Sequence, residues 1–328
     1  MKTTLVNSGK FEYFLLLDFL LLVAINFGEV LLCVAGLRLC APMCLQSPSD
    51  FYQQIEAKFI FESVCGLSEI VNPTLCNTSL SRLYSYYGYE VILVDAYGWL
   101  HAAKSKAGVV ELISGGHSNP PLYDFLENRL RSVSLGGKFK VYLVFDGHSS
   151  LHKEATETDR SKRREDRRKQ TRILQADGQF LKATQLLRAS EDITPEVAKQ
   201  VIDHLNSLSP AQKLAIGLHR CVVSINEADP LLGFLNNFIP KSVILSNDYD
   251  MVPWKATACL FKVDYLSGKV ALYRRDVFDV TATVSNRLLT ITQHQLIDIC
   301  VLAGCDYVKS LTNIAFKKAA NLVRQHGK

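Results

Sequence analysis

The sequence predicts a mixed α/β fold built on a central, mainly parallel sheet. After about residue 64, four short apolar runs of the kind found in strands buried on both faces alternate with amphipathic, helix-like stretches. Each run ends at acidic residues or shortly before them. The chain has 328 residues, of which 48% are hydrophobic and 21% charged. This composition supports a large folded core and excludes a disordered chain.

The elements follow from periodicity and from helix-start and turn signals. Strands are predicted at residues 91–94, 141–145, 221–223 and 243–245. Helices are predicted at residues 121–133, 194–208, 293–302 and 314–326. In the second of these, Thr194 is the expected N-cap and Pro195 the first helical residue. Residues 258–265 and 270–274 predict a hairpin at the sheet edge, since Leu266-Ser-Gly268 forms a turn between them.

Residues 1–63 form an apolar N-terminal extension ahead of this region. Residues 14–37 are nearly long enough to span a bilayer. Asp18 and Glu29 interrupt the run, and a carboxylate near the bilayer centre costs about 2.5–3.5 kcal/mol. Two lysines precede the run, but no small-x-small cleavage site follows it. The pattern favours a poorly ordered or non-native extension, from a wrong start site or retained intron, over the alternative of a membrane-anchored α/β protein.

Positive charge is concentrated in one block of the chain. The net charge is only +5, but residues 160–172 hold eight basic residues against Glu165 and Asp166. Such a block indicates a polyanionic partner. The nine cysteines are scattered, with no CxxC pair and no cysteine–histidine cluster at zinc spacing. This distribution predicts a reducing compartment and no structural zinc.

Seven carboxylates are candidate metal ligands: Asp95, Asp146, Glu227, Asp229, Asp248, Asp250 and Asp306. A single aspartate at a strand-to-loop turn is ordinary turn chemistry, but the repetition after successive strands is not. Ligands of open α/β sheets gather at the carboxyl ends of the strands, so these acids should converge on one edge. Grouped carboxylates repel one another unless cations neutralise them. Oxygen ligands without nitrogen or sulfur favour Mg²⁺ or Mn²⁺ over zinc.

Five ordered segments carry a family resemblance. They read VDAYGWLH (94–101), LVFDGHSSLHKEATETDRSKRRE (143–165), NEADPLLGFL (226–235), SNDYDMV (246–252) and VLAGCDYVKSLTNIAFKKA (301–319). In order and approximate spacing across residues 65–328, they resemble the motifs of the flap-endonuclease/exonuclease 1 (XPG-type) 5′-nuclease family. The tyrosine and histidine of DAYGWLH resemble the exonuclease 1 branch more than the flap endonucleases.

This resemblance implies a PIN-like 5′-nuclease fold with a central mainly parallel sheet, a helical arch and a C-terminal helix–two-turn–helix motif. Residues 64–165 would be an N-terminal nuclease region, residues 166–220 the helical arch and connecting region, and residues 221–328 an internal nuclease region that includes the C-terminal motif. The implied activity is two-metal-ion hydrolysis of DNA phosphodiesters, as a 5′→3′ exonuclease, a flap endonuclease or both. The implied setting is DNA repair or replication in the nucleus, by a monomer.

The resemblance also assigns roles to single residues. The first metal site would use Asp95, Asp146, Glu227 and Asp229, and the second Asp248, Asp250 and Asp306. Two Mg²⁺ ions are implied, with Mn²⁺ as a substitute. Lys153 and Arg160 would contact the scissile phosphate and stabilise its developing charge. Tyr97 and His101 would stack on the 5′-end nucleotide, which is worth about 1–3 kcal/mol per base.

Further DNA contacts are implied in two other regions. Arg163, Arg164, Arg167 and Arg168 belong to the arch, where they would hold a single strand through phosphate contacts. Asn313, Ala315, Lys317 and Lys318 belong to the C-terminal motif, which in the family binds duplex DNA with a monovalent cation. The implied partners are DNA 5′ ends, flaps and nicked or gapped duplexes, and no membrane partner is expected.

The chain departs from the family at two places. The family's short N-terminal segment, packed close to the active site, has its nearest match in Val64-Cys-Gly-Leu67, far from residue 1. The family's Gly-Ile-Gly hairpin is replaced by Asn313-Ile-Ala315. Asn tolerates a left-handed backbone whereas Ala tolerates it poorly, so weaker duplex anchoring is expected. A catalytically impaired DNA-binding relative is therefore the alternative function.

Overall fold

A seven-stranded sheet organises the part of the chain that the structure describes. The structure is a computed structural model, and it describes residues 66–103, 120–148, 154–190, 192–281, 283–284, 287–288, 291–305, 308 and 310–326. The strands are β1 (Cys76–Ser79), β2 (Val91–Asp95), β3 (Lys140–Phe145), β4 (Leu218–Val223), β5 (Ser242–Leu245), β6 (Ala258–Phe261) and β7 (Lys269–Arg274). A separate two-stranded ribbon pairs β8 (Thr283–Val284) with β9 (Arg287–Leu288).

The strand order across the large sheet is β1-β7-β6-β5-β2-β3-β4. The five strands from β6 to β4 pair in parallel, whereas β7 pairs antiparallel with both of its neighbours. The predicted mixed α/β fold with a mainly parallel sheet is therefore confirmed. The four predicted apolar runs correspond to β2, β3, β4 and β5.

The predicted hairpin forms, but the prediction that it lies at the sheet edge was wrong. Strands β6 and β7 pair antiparallel, as expected. The edge, however, is β1, which pairs with the outer side of β7. Its sequence, Cys-Asn-Thr-Ser, contains no apolar run because none of its residues is buried. A short polar edge strand carries no hydrophobic pattern by which a sequence could reveal it.

Helices connect the strands. They are α1 (Leu67–Val71), α2 (Leu80–Ser85), α3 (Ala96–Ala103), α4 (Pro120–Ser134), α5 (Glu154–Ala176), α6 (Phe180–Ser190), α7 (Pro195–Ser207), α8 (Pro210–Ile216), α9 (Ala228–Phe238), α10 (Arg275–Thr281), α11 (Gln293–Ala303) and α12 (Phe316–His326). Short 3₁₀ helices span Asn72–Thr74 and Tyr249–Met251. The four predicted helices correspond to α4, α7, α11 and α12, and α7 begins after Thr194 with Pro195, as predicted.

The apolar spacing of α4 explains its packing. Leu122, Leu126 and Leu130 are spaced by four residues, so they share one face of the helix, and all three are buried. This face belongs to the same core cluster as Val141 and Leu143 of β3. Burial of one such side chain contributes about 1.5–3 kcal/mol. The core thus fixes the strands whose carboxyl ends carry the candidate ligands.

Helices α5 and α6 are consecutive and pack against each other. The chain reverses between them at Gly178, whose φ of +73° is a left-handed conformation that favours glycine. Thr171 of α5 and Ala183 of α6 are buried, whereas most of the surrounding residues are exposed. The boundary expected between residues 165 and 166 falls inside α5, and that between residues 220 and 221 falls inside β4.

The predicted extension, residues 1–63, lies outside the described residues, all of which belong to one compact unit, Ile55–Lys328. Among the described helices, none is long and apolar enough to cross a membrane. Five cysteines of the described residues are free thiols: Cys76, Cys221, Cys259, Cys300 and Cys305.

Candidate active site

Acidic residues follow four neighbouring parallel strands. Asp95 is the last residue of β2, and Asp146 directly follows β3. Glu227 is the N-cap residue of α9, after β4, and Asp248 is the N-cap residue of the 3₁₀ helix after β5. Since β5, β2, β3 and β4 are adjacent and parallel, their carboxyl ends meet at one edge of the sheet.

A cavity of about 680 Å³ opens at this edge. Six of the seven candidate ligands line it: Asp95, Asp146, Glu227, Asp229, Asp248 and Asp250. Asp306, the seventh, lies outside the described residues. As the side chains stand, no group of three or more His, Cys, Asp or Glu residues within the described ranges is close enough together to hold a metal ion.

Proximity and burial shift two of these carboxyls toward the protonated form. Burial, aided by the charges of Asp95 and Glu227, raises the pKa of Asp146 to about 7, although the Ala228 N–H donates to its Oδ1 at 2.7 Å. Burial also raises the pKa of Asp95, and the charge of Asp248 adds to the rise. The cavity therefore favours a cation, since a divalent ion removes the cost of ionising these groups.

Two hydrogen bonds orient the carboxylate of Asp95. Its Oδ1 accepts from the Gly98 N–H at 3.1 Å, and its Oδ2 accepts from the Ser246 hydroxyl at 3.2 Å. A Cβ at position 98 would lie 2.9 Å from Oδ2, so any side chain there would displace this carboxylate. The Ser246 Oγ also accepts the Asp248 N–H at 3.1 Å. Ser246 therefore links the ends of β2 and β5.

The turn after β3 depends on close backbone approach. The Gly147 N–H donates to the Asn226 carbonyl at 2.6 Å, and the His148 N–H donates to that of Ile225 at 2.9 Å. A Cβ on Gly147 would lie 2.0 Å from the Ser224 carbonyl oxygen. The segment carrying Asp146 is thus held against the segment that leads to Glu227.

Helix N-capping accounts for the presence of one carboxylate, Asp248, but not of another, Glu227. The Oδ1 of Asp248 accepts the Asp250 N–H at 3.0 Å, which is an ordinary capping bond. Glu227 occupies the N-cap position of α9, but its side chain makes no capping hydrogen bond. Asp250 is buried, with 1% of its surface exposed. Capping chemistry alone therefore does not account for this set of acids.

The two predicted stacking residues lie beside the carboxylates. Tyr97 and His101 both line the cavity, and their ring centroids are 6.5 Å apart. Burial and the charge of Asp146 raise the pKa of Tyr97 to about 12, so it stays a neutral phenol. Gly66 and Ser68 line the cavity as well. The family-like segment around Leu67 thus lies at the site, where the resemblance implies it.

The basic residues of α5 are distributed differently. Lys153 lies outside the described residues, and Arg160 pairs with Glu157 at 2.8 Å. Arg164 pairs with Asp192 at 3.0 Å, and Arg168 donates to the Ser190 carbonyl at 3.5 Å. Arg163 and Arg167 are exposed on the same helix. No described residue of α5 lines the cavity.

In the altered hairpin of the C-terminal motif, only one of the two substituted positions has a left-handed backbone. Asn313 has a φ of +62°, whereas Ala315 does not have a positive φ. The only left-handed position of this pair is therefore held by the residue that tolerates it. Lys317 pairs with Glu69 of α1 at 3.0 Å, and Lys318 is exposed.

Sequence reasoning missed several residues that line the cavity. Ser246 carries a weak signal, because it directly follows an apolar strand. Trp99 and Tyr265 read as core aromatics, and Arg129 reads as one charge on the polar face of α4. Nothing local in the sequence marks these three, since they meet at the cavity only through packing of α3, α4 and the β6–β7 connection.

Comparison with known proteins agrees with this geometry. The sequence model of the XPG I-region family matches residues 219–306, which include five of the seven candidate ligands. The DNA damage-inducible protein DIN7 of Saccharomyces cerevisiae is 30% identical over 243 residues, covering 73% of this chain and 53% of the relative. These matches support a place for this chain in the XPG-type 5′-nuclease family, near its exonuclease 1 branch.

Other XPG-type relatives are longer than this chain. The exodeoxyribonuclease 1 of S. cerevisiae is 30% identical over 265 residues, covering 79% of this chain and 34% of the relative. Exonuclease 1 of Danio rerio is 27% identical over 240 residues, covering 73% and 28%. The chain thus spans about half the length of DIN7 and about a third of the length of the exonucleases.

Solved structures confirm the XPG-type fold. The catalytic core of Rad2 in complex with DNA substrate matches with a TM-score of 0.54 at 16% identity, covering 81% of this chain and 69% of that chain. Human GEN1 in complex with Holliday junction DNA matches with a TM-score of 0.52 at 17% identity, covering 81% and 56%. The predicted 5′-nuclease fold is therefore confirmed.

Proposed function

We propose that this chain is a metal-dependent 5′-nuclease that hydrolyses DNA phosphodiesters near a 5′ end, as an exonuclease, a flap endonuclease or both. One observation carries the proposal. Six carboxylates from the ends of four adjacent parallel strands line one cavity together with Tyr97 and His101. The similarity to this family adds the expectation of DNA as substrate, in repair or replication and in the nucleus.

The donor set fits hard divalent cations. All six carboxylates offer oxygen ligands, and no histidine nitrogen or cysteine sulfur of the described residues joins them except His101 at the cavity wall. Asp95, Asp146, Glu227 and Asp229 would hold one ion, and Asp248, Asp250 and Asp306 a second. When bound, two Mg²⁺ or Mn²⁺ ions stabilise charge on the attacking and leaving oxygens of an in-line displacement. A GEN1 structure solved with product DNA and Mg²⁺ supports a divalent cation in the family.

The other residues bind and orient the strand. Tyr97 and His101 are proposed to stack on the terminal nucleotide beside the carboxylates. Lys153 and Arg160 are proposed to bind the scissile phosphate, and Arg163, Arg164, Arg167 and Arg168 to bind phosphates of the displaced strand. Arg160 and Arg164 exchange Glu157 and Asp192 for phosphate when they do so.

Duplex binding is proposed at the C-terminal motif. Asn313 and Ala315 would bring backbone N–H groups to a phosphate, with a monovalent cation, while Lys317 and Lys318 contribute charge. We propose that the protein acts as a monomer on 5′ ends, flaps and nicked or gapped duplexes. The names of the relatives, which include exonucleases and DNA complexes, support this class of substrate.

The test is cleavage of 5′-labelled DNA as a flap, a nicked duplex, a blunt duplex and a single strand, with Mg²⁺ or EDTA. Wild type is compared with Asp248→Ala and with Asp203→Ala, a matched control at an exposed position of α7. We expect Mg²⁺-dependent products from wild type and Asp203→Ala and none from Asp248→Ala. The product lengths distinguish exonuclease from flap cleavage.

Two results would contradict the proposal. If folded wild type binds these DNAs but cuts none of them, the chain is the catalytically impaired DNA-binding relative. If it neither binds nor cuts them, DNA is not its substrate. A thermal melting transition of each protein establishes that it is folded.

A further inference from the structure

Arg129 of α4 lines the same cavity as the six carboxylates. Its guanidinium carbon lies 4.2 Å from the ring centroid of Tyr265, 4.4 Å from that of Phe125 and 5.7 Å from that of Trp99. Tyr265 and Trp99 line the cavity too. The cation is thus held by aromatic rings from three separate segments of the chain. Cation–π contacts of this kind fix the position of a guanidinium without using its hydrogen-bond donors.

Arg129 differs in this from its neighbours in the described part of the chain. Arg131, two residues further along α4, pairs with Glu127 at 2.8 Å. No ion pair joins Arg129 to a carboxylate of the described residues, although six of them line its cavity. The rings therefore hold its charge in place without using its N–H groups, which lie in the guanidinium plane. A planar fork of donors matches a phosphate.

The charge of the cavity calls for such a group. A DNA strand brings several phosphates to a site whose walls are acidic. Cations held by the carboxylates would neutralise the acids and the phosphate being cut, but not the phosphates on either side of it. Two basic side chains line the cavity among the described residues, His101 and Arg129. His101 is a predicted stacking residue, so Arg129 is the one without an assigned role.

We propose that Arg129 binds a substrate-strand phosphate next to the scissile one and so sets which bond lies over the carboxylates. This inference rests on the proposed nuclease function and adds a residue that sets the register of the strand. Arg129→Met should weaken DNA binding by about 10- to 100-fold, the usual range for losing a charged hydrogen-bonded contact. Arg129→Lys should lose part of this, because it keeps the charge but not the planar fork.

The test combines this variant with DNA in which one phosphate at a time is replaced by an uncharged methylphosphonate. Dissociation constants are measured with Mg²⁺ in the Asp248→Ala background, so that the DNA stays intact. At the contacted position, the methylphosphonate should weaken wild-type Arg129 binding but leave Arg129→Met unchanged. At other positions the two losses should multiply, as independent contacts do. Arg131→Met, on the same helix, is the control. Its loss of affinity and that caused by the methylphosphonate should multiply at every position.

Three results would overturn the inference. The first is binding by Arg129→Met equal to that of the parent. The second is that the affinity losses of Arg129→Met and of the methylphosphonate multiply at every phosphate, which indicates a structural role through the aromatic rings. The third is a melting temperature of Arg129→Met far below that of Arg131→Met together with no rescue by Arg129→Lys. Because the readout is binding, a chain that binds DNA without cutting it would refute the nuclease proposal and still test Arg129.

Discussion

Replacing Asp146 with Asn is predicted to stabilise the metal-free protein, and to do so more at pH 8 than at pH 5. Burial and the charges of Asp95 and Glu227 raise the pKa of Asp146 from 3.8 to about 7. An ionised carboxylate at this position is therefore costly in the folded chain. Asn removes the charge and keeps an oxygen to accept the Ala228 N–H, which Asp146 accepts at 2.7 Å.

The magnitude follows from proton linkage. One pKa unit corresponds to about 1.4 kcal/mol. A pKa of 3.8 in the unfolded chain and about 7 in the folded chain gives a cost of about 4 kcal/mol at pH 8 and about 2 kcal/mol at pH 5. Because the folded-state pKa is raised, the contribution of Asp146 is fully present below about pH 4 and is lost as the pH rises through about 7. Solvent in the cavity screens part of this, so we expect a gain of about 2–4 kcal/mol at pH 8 and half of that or less at pH 5.

The free energy of unfolding is measured by urea titration at both pH values, with EDTA and a reducing agent. Asp203→Asn, at an exposed position of α7, is the control and should change stability by no more than about 0.5 kcal/mol. Added Mg²⁺ should stabilise wild type more than Asp146→Asn, since the cation binds the folded carboxylates. A gain that is absent, or equal at both pH values, would refute the reasoning.

Three further substitutions test the support of the site. Gly98→Ala places a Cβ 2.9 Å from the Asp95 Oδ2, so cleavage should fall more than about 10-fold while the melting temperature stays within a few degrees. Gly147→Ala places a Cβ 2.0 Å from the Ser224 carbonyl oxygen and should destabilise by more than about 3 kcal/mol in urea titrations. Asn236→Ala removes the oxygen that accepts the Thr257 and Ala258 N–H groups at 2.7 and 3.1 Å, and should lower the free energy of unfolding by about 3 kcal/mol. An unchanged urea unfolding transition would contradict this role of Asn236.

Much of the fold was predictable because the relevant signals are local. Buried parallel strands are continuous apolar runs, and helices such as α4 repeat leucine at a spacing that any reading of the sequence detects. Pro195 after Thr194 marks the start of α7 by chain geometry alone. The hairpin of β6 and β7 was equally visible, but its place in the sheet was not, because β1 has a polar sequence and pairs with a strand almost two hundred residues away.

The sequence by itself determined the acids and their chemistry. Acidic residues follow successive strands, and parallel strands end at one edge of the sheet. The order of elements therefore brings together Asp95, Asp146, Glu227 and Asp248. Their oxygen-only character indicated hard divalent cations without any coordinates. The metal-binding roles of all seven acids and the role of Lys153 remain predictions, and Asp306 and Lys153 lie outside the described residues.

Only the tertiary structure decided what surrounds these acids. The hydroxyl of Ser246 joins Asp95 to the backbone of Asp248, and the rings of Tyr265, Phe125 and Trp99 hold Arg129 in the same cavity. These partners are up to about 150 residues apart along the chain. Periodicity and motif spacing report the faces of single elements. Contacts between distant elements depend on how those faces pack, and packing is a property of the whole fold.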